Sequence, residues 1–189
     1  MIMDIFKTPL DVSKLEMDPS NLIDYIYKVK DKSKGEQRSN QGGWQSPNLG
    51  HFDETFIKAV LKNVNLFATK IELKTPLILE KVWSSINKYK DFNMPHIHPG
   101  ALISGVFYLK IPKDSGNIVF HHPLGPSFSY DWQDRRIAHF NSYNSYTWTI
   151  PSEELSLYLF PSWLKHYVEP SQNKQEDRIS ISFNFNYKT

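Results

Sequence analysis

The sequence predicts a mainly β protein with flanking helices, built as an antiparallel β-sandwich or barrel. Two observations indicate this fold class. Helical periodicity is confined to the first half of the chain, and from Asn93 onward short runs rich in Val, Ile, Phe, Tyr and Trp alternate with turn clusters. We therefore expect the 189 residues to form a single domain. Within it, residues 1–92 are predicted to be a helical lead-in and support, and residues 93–189 the β core.

Two helices are predicted in the first part of the chain. Residues 18–30 place their apolar side chains on one face of a helix, with Ser20 as the expected N-cap. Residues 53–69 show the strongest helical spacing and follow an acidic first turn. Between these helices, residues 31–50 have no period and are dense in Gly, Ser, Asn and Gln, which predicts a long loop. Residues 77–89 fit a helix or a strand equally well.

Six strands are predicted in the second part, where clusters such as PKDSGN and PSQNKQED mark the turns. They cover residues 96–111, 117–121, 146–150, 156–160, 166–169 and 178–187. The long stretch at residues 123–146, between two of these strands, is the expected substrate-facing insertion.

Composition excludes several classes of function. Apolar residues make up 40% of the chain and aromatic residues 14%, too much for a disordered protein. The net charge of +2 makes binding to nucleic acid through a basic surface unexpected. No apolar run approaches the length of a membrane span, and the start MIMDIFKTPLD has neither a basic leader nor an apolar signal core, so no membrane partner and a cytoplasmic location are expected. With no cysteine, any metal must be held by His, Asp or Glu.

His96 and His98 form the first motif with chemical meaning. Side chains at i and i+2 of a strand point the same way, so two imidazoles there can converge on one metal ion. Two solvated histidines in a loop before Pro99 are the alternative. If the strand is unbroken, Tyr108 shares their face.

The last predicted strand, RISISFNFN, alternates polar and apolar residues over nine positions. This pattern fits a half-exposed strand with its polar face in water. It also fits a strand whose polar face lines a wet cavity. There the guanidinium of Arg178 would hold a carboxylate with two hydrogen bonds, helped by the Ser180 hydroxyl. His166 lies twelve residues before Arg178; taken alone, a histidine beside aromatic residues is more often packed or solvated than a ligand.

Taken together, an H-x-H strand, a distant His and an R-x-S strand resemble the 2-oxoglutarate/Fe(II)-dependent oxygenases. The resemblance covers residues 93–187. The phrases HIHPGALISGVFYL, YLFPSWLKHYVEP and RISISFNF, with SNQGGWQS upstream, are similar to a subgroup found in bacteria and phages. It implies a double-stranded β-helix, the cupin-like jelly roll, as the core that carries the metal site.

The resemblance also implies a role for each motif residue. His96 would be the first Fe(II) ligand and His166 the distal one, while His98 stands where the family's H-x-D motif has its carboxylate. Arg178 and Ser180 match the R-x-S that binds the far carboxylate of 2-oxoglutarate, and Tyr108 resembles a tyrosine that prolyl hydroxylases place against it. Because the usual triad is two histidines and one carboxylate, His121, His122 or a carboxylate compete with His98 for the third ligand position.

The resemblance therefore predicts an Fe(II)- and 2-oxoglutarate-dependent dioxygenase, a hydroxylase whose substrate the sequence does not reveal. One alternative keeps the metal and drops 2-oxoglutarate, as a three-His cupin-type metalloenzyme with Arg178 holding the substrate's own carboxylate. The other is a noncatalytic jelly-roll binding module with incidental histidines. No specific role is expected for His51 or His139, and a homodimer stays open.

Overall fold

The structure is a computed structural model that describes residues 2–50 and 52–188. Its strands are β1 (Asp11–Lys14), β2 (Asn40–Gln41), β3 (Trp44–Gln45), β4 (Leu77–Asn87), β5 (Phe92–His96), β6 (Ile103–Lys110), β7 (Ile118–His121), β8 (Thr147–Ile150), β9 (Ser156–Pro161), β10 (His166–Val168) and β11 (Arg178–Tyr187). Its helices are α1 (Ser20–Lys32), α2 (Glu54–Lys70), α3 (Gly125–Asp131) and a 3-10 turn at Asp134–Arg136. None of the helices in the described part of the chain is long and apolar enough to cross a membrane.

The strands form two antiparallel sheets. The larger sheet has the order β1-β9-β6-β11-β4-β3, and the smaller has the order β2-β5-β10-β7-β8. A compact apolar cluster lies between them, where Val106, Tyr108 and Phe160 of the larger sheet meet Ile118 and Phe120 of the smaller one. The molecule is therefore a two-sheet β structure, as the sequence predicts.

A second and larger core lies on the other face of the larger sheet, under the helices. α2 buries one stripe of side chains there, namely Phe56, Val60, Val64, Phe67 and Ala68. Its first turn is capped by Asp53, whose side chain accepts a hydrogen bond from the Phe56 N–H at 2.7 Å. The prediction of a helix at 53–69 is confirmed to within one residue at each end.

The first helix differs from its prediction at its start. Ser20 is not the N-cap; it is the first helical residue, and Pro19 precedes it without a side-chain cap. Asp18 satisfies this turn instead, because its carboxylate accepts hydrogen bonds from both the N–H and the hydroxyl of Ser20. Spacing locates a helix start only to within one or two residues, so the preference of Ser for the N-cap position did not fix the start here.

Residues 1–92 are more than the helical support predicted for them. The ambiguous segment forms β4, which pairs with β11 from Asn87 opposite Arg178 to Leu77 opposite Tyr187. β1 also pairs with β9 at one edge of the larger sheet. The division of the chain at residue 92 is therefore wrong as a division between helices and strands, because strands of the larger sheet come from both parts.

The single strand predicted at 96–111 is wrong as well. β5 ends at His96 in the smaller sheet, and β6 begins at Ile103 in the larger sheet. The connection crosses between the sheets and contains Pro99, which has no N–H to donate, and Gly100, whose φ is 89°. Side-chain alternation therefore does not carry from His96 to Tyr108, although both side chains line the same cavity.

Candidate metal centre

His96, His98 and His166 come together in the wall of a cavity between the sheets. One ring nitrogen from each can be chosen so that all three lie within 4.8 Å of one another. Their ring centroids are 4.4 to 5.1 Å apart. Among residues 2–50 and 52–188, no other group of three or more His, Asp or Glu side chains is arranged in this way. The three histidines named from the sequence are thus brought together, and no carboxylate of the described residues joins them.

Strand pairing explains this convergence. His96 ends β5 and His166 begins β10, and the two residues lie directly opposite each other in the smaller sheet. Side chains of directly opposed residues share a face, so their imidazoles meet. His98 reaches the same place from the crossing segment, where its N–H donates to the Ser162 carbonyl at 2.9 Å.

Each imidazole has an oxygen acceptor at Nδ1. The acceptors are the Met94 carbonyl for His96 at 2.7 Å, the Leu164 carbonyl for His166 at 2.9 Å, and the Asn184 Oδ1 for His98 at 2.7 Å. Because an amide oxygen only accepts hydrogen bonds, Nδ1 carries the proton in all three rings. The lone pair is then on Nε2, and the Nε2 of His98 is buried with no hydrogen-bond partner among residues 2–50 and 52–188.

Burial also keeps the rings neutral. It lowers the pKa of His96, and it lowers the pKa of His98 to about 4 and that of His166 to about 3, with the neighbouring histidines adding to the shift in the last two. A neutral imidazole is the form that binds a metal. All three histidines are therefore ready for coordination at neutral pH.

The competing histidines lie elsewhere. His121 and His122 line a second cavity of about 680 Å³, together with the N-terminal segment at residues 2–8. Alternation along β7 explains this, because Phe120 faces the space between the sheets and His121 faces away from it. His122 stacks on Phe128 with centroids 4.3 Å apart. His139 is exposed, and His51 lies outside the described residues.

The cavity at the histidines has a volume of about 750 Å³ and is bounded by both sheets. Of the two alternatives for the polar face of β11, exposure to water or the wall of a cavity, the structure has the second. Its apolar positions Ile179, Ile181, Phe183 and Phe185 are fully buried in the core under the helices. Its polar positions Arg178, Ser180, Ser182 and Asn184 line the cavity.

Arg178 lies at the other end of this polar row and has only 2% of its surface exposed. Its Nε and Nη2 have no hydrogen-bond partner, and no ion pair among the described residues involves it. The guanidinium lies 4.8 Å from the centre of the Tyr108 ring. Burial lowers the pKa of Arg178 and raises that of Tyr108, while the electrostatic interaction between the two groups opposes both shifts. The Tyr108 hydroxyl is buried and has no hydrogen-bond partner among the described residues.

Ser180 lies directly opposite Tyr108 in the pairing of β11 with β6. Arg178, Ser180 and Tyr108 therefore share one end of the cavity. The predicted insertion at 123–146 does not line this cavity. The cavity is lined instead by Glu36, Arg38 and Asn48, which belong to the segment at residues 31–50 that was predicted to be a loop.

The sequence reasoning missed two residues at the site. Asn184 accepts the hydrogen bond from His98, and Trp83 lies beside His98 with ring centroids 5.5 Å apart. The alternation of β11 placed Asn184 on the polar face but could not identify its partner. Trp83 lies in the segment that fitted a helix or a strand, so its face was undetermined.

Comparison with known proteins decides the family. The model of a family described as "Putative 2OG-Fe(II) oxygenase" matches residues 81–184, more than half of the chain. The chain belongs to the 2OG-Fe(II) oxygenases. No protein with a curated description matches the chain. Membership establishes that it is an enzyme that uses Fe(II) and 2-oxoglutarate, which confirms the predicted oxygenase activity and cofactors.

Solved structures establish the fold. A prolyl-4-hydroxylase from Pseudomonas putida is 12% identical with a TM-score of 0.64, and the match covers 96% of this chain and 94% of that one. A viral collagen prolyl hydroxylase from Paramecium Bursaria Chlorella virus-1, in complex with 2-oxoglutarate, is 13% identical over 93% and 94%, with a TM-score of 0.60. The epimerase SnoN from nogalamycin biosynthesis is 11% identical over 95% and 78%, with a TM-score of 0.68. The oxygenase therefore has the predicted jelly-roll fold.

Proposed function

We propose that this oxygenase is a hydroxylase whose Fe(II) is held by the Nε2 atoms of His96, His98 and His166. We further propose that Arg178, Ser180 and Tyr108 hold the far carboxylate of its 2-oxoglutarate. The observation that carries this proposal is a buried arginine with two unpartnered nitrogens, in the same cavity as three convergent neutral imidazoles.

The histidine cluster supports the metal assignment through its chemistry. Imidazole nitrogen is a common Fe(II) ligand, and three such nitrogens on one side of an ion leave its other positions open to ligands. Each ring is oriented by a hydrogen bond at Nδ1, the arrangement usual for metal-bound histidine. A fully neutral ligand set keeps the whole charge of Fe(II) at the site, whereas a carboxylate would remove one unit.

The cosubstrate assignment rests on the environment of Arg178. Nε and Nη2 form one edge of the guanidinium plane, and this edge matches the two oxygens of a carboxylate. A buried charge without a partner is strongly unfavourable, by several kcal/mol for one ion. An anionic ligand removes this cost, and the hydroxyls of Tyr108 and Ser180 lie beside the same end of the cavity.

When bound, Fe(II) and 2-oxoglutarate supply oxidation by dioxygen, coupled to decarboxylation of the cosubstrate to succinate and carbon dioxide. The protein's own side chains bind and orient. Arg178 fixes the distal end of the cosubstrate, and the apolar walls formed by Val106, Ile118 and Phe160 exclude water from it. Trp83, beside His98, presents an aromatic surface to the cavity.

Calorimetric titration of the anaerobic protein tests the proposal. We expect the wild type to bind one Mn(II), used as a stand-in for Fe(II), and then 2-oxoglutarate. His96→Ala/His166→Ala should lose the metal, and a matched His139→Ala control, which changes an exposed histidine, should keep it. Full occupancy in the double variant, or no binding of millimolar 2-oxoglutarate to the metal-loaded wild type, would contradict these assignments.

A second experiment tests His98 itself. His98→Asp restores the commoner two-His, one-carboxylate set and should keep the metal, with 2-oxoglutarate turnover to succinate preserved or raised. His98→Ala should weaken metal binding. Unchanged affinity in the Ala variant would remove His98 from the ligand set.

We also propose that the enzyme is a cytoplasmic single-domain protein that does not act on nucleic acid. A cytoplasmic location is supported by the absence of cysteine, since small secreted domains commonly depend on disulfides. The net charge of +2 speaks against nucleic acid as the substrate. Residues 1–189 are proposed to be one domain, and size-exclusion chromatography with light scattering would decide between a monomer and a homodimer.

A further inference from the structure

The hydrogen bonds that orient the three histidines are not of one kind. His96 and His166 each face a backbone carbonyl two residues earlier in the chain, from Met94 and Leu164. No side-chain substitution removes those acceptors. His98 instead faces the side chain of Asn184, at 2.7 Å and 86 residues away. Orientation of the third ligand thus depends on one amide of another strand.

Asn184 is itself held in place by the larger sheet. It lies directly opposite Ser104 in the pairing of β11 with β6. The Ser104 hydroxyl donates to the same Asn184 Oδ1 at 2.9 Å. The oxygen therefore receives two hydrogen bonds, one from a buried serine and one from the His98 ring.

We infer that Asn184 is a positioning residue that makes His98 a metal ligand, an inference that rests on the proposed function. With Asn184 Oδ1 as acceptor, the His98 proton stays on Nδ1 and the lone pair on Nε2 points at the other two histidines. Without it, the ring is free to rotate or to place its proton on Nε2, where it blocks coordination. Asn184 also gives His98 the same kind of acceptor that the backbone gives the other two ligands, a neutral amide oxygen.

The role of Asn184 therefore depends on a histidine at position 98. A carboxylate at position 98 has no ring to orient and no tautomer to select, so it does not need the Asn184 acceptor. The need for Asn184 arises from the third histidine. This dependence separates a positioning role from a merely structural one, because damage to the fold would weaken metal binding whichever residue stands at position 98.

The experiment is a double-mutant cycle on Mn(II) affinity, measured by competition with a chelator at pH 7.5. Asn184→Ala and Asn184→Leu should each bind Mn(II) about 10–100-fold more weakly than the wild type. Asn184→Asp should keep wild-type affinity or exceed it, because its carboxylate also accepts from His98. Ser182→Ala, on the same face of β11 but without a bond to His98, is the matched control and should stay within about twofold.

In the His98→Asp background, Asn184→Ala should change Mn(II) affinity by less than about threefold. A second readout needs no metal: in apoprotein labelled with ¹⁵N-histidine, His98 should show a protonated Nδ1 in the wild type and lose it in Asn184→Leu. An equal loss of affinity in both backgrounds, or no loss in the wild-type background, would overturn the inference. Absence of Mn(II) binding by the wild type would instead overturn the proposed metal centre.

Discussion

The two faces of β11 carry opposite chemistry along the same ten residues. Facing the helices, Ile179, Ile181, Phe183 and Phe185 are fully buried among apolar side chains. Facing the smaller sheet, Arg178 has polar atoms without partners, and Asn184 holds a histidine ring. The apolar face is fully packed within the chain, whereas the polar face keeps side-chain atoms that have no hydrogen-bond partner among the described residues. We therefore expect substitutions on the apolar face to change stability, and substitutions of Arg178 and Asn184 on the polar face to change binding.

The largest expected effect is on the apolar face, at Phe183. Its ring lies 5.9 Å from those of Phe56 and Phe185, with no exposed surface. Phe183→Ala should lower the free energy of unfolding by about 3–5 kcal/mol, from lost transfer energy and an unfilled cavity. Urea denaturation measures this change. The adjacent Ser182→Ala should change stability by less than about 0.5 kcal/mol, and equal losses in both variants would contradict the division between the faces.

The next effect concerns Arg178 on the polar face. Arg178→Ala should weaken 2-oxoglutarate binding by about 2–5 kcal/mol, because the ligand carboxylate loses a charge-assisted pair in a buried place. Arg178→Lys should recover only part of this, since an ammonium lacks the planar edge. Arg136→Ala, which changes an exposed arginine away from the cavity, is the control in the same calorimetric titration.

Loss of the Arg178 charge should weaken ligand binding but should not lower the stability of the ligand-free protein. Arg178→Met replaces an unpaired buried charge by an apolar chain of similar length, so the apoprotein should be as stable as the wild type or more stable. A marked loss of stability in this variant would show that Arg178 is held by the fold rather than left for a ligand.

Sequence patterns predicted the faces of β11 well, because a period of two over nine residues fixes which side chains share a side. They also identified the three histidines and Arg178 through the motif. They failed between His96 and Ile103, where Pro99 and Gly100 interrupt the strand and the pattern cannot say whether the chain bulges or changes sheets. The bond from His98 to Asn184 joins residues 86 positions apart, so only the sheet order reveals it.

Acidification should lower the folding stability of the metal-free protein, because the buried histidines of the cavity resist protonation. The pKa values of His98 and His166 are about 4 and about 3 in the folded chain and return to about 6.5 on unfolding. Between these values the unfolded chain binds protons that the folded chain does not, so stability falls as pH drops from about 6.5 towards 4. The slope can reach about 1.4 kcal/mol per pH unit for each such histidine.

Urea denaturation of chelator-treated protein at pH 7, 6 and 5 measures that slope. His166→Gln removes one of the titrating rings and should give a shallower dependence on pH, whereas His139→Ala, at an exposed ring, should leave it unchanged. A wild-type stability that is flat between pH 7 and 5 would show that the cluster titrates like free histidine.

The smallest expected effects distinguish two buried tyrosines whose rings contact each other. Tyr108 and Tyr158 have ring centroids 5.1 Å apart, and both are almost fully buried. The Tyr158 hydroxyl donates to the Pro151 carbonyl at 2.7 Å, whereas the Tyr108 hydroxyl has no hydrogen-bond partner in the part of the chain that the structure describes. Tyr158→Phe should therefore cost about 1 kcal/mol of stability, since it leaves that carbonyl without its donor.

Tyr108→Phe should do the reverse. It removes an unsatisfied buried hydroxyl, so the apoprotein should keep its stability or gain slightly, while 2-oxoglutarate binding should weaken by roughly 1–3 kcal/mol, the value of one hydrogen bond to a charged group. Thermal unfolding of the apoprotein and calorimetric titration of the Mn(II) form measure the two effects separately. If Tyr108→Phe loses stability and keeps its affinity for 2-oxoglutarate, as expected of Tyr158→Phe, then Tyr108 belongs to the self-satisfied part of the core and not to the ligand site.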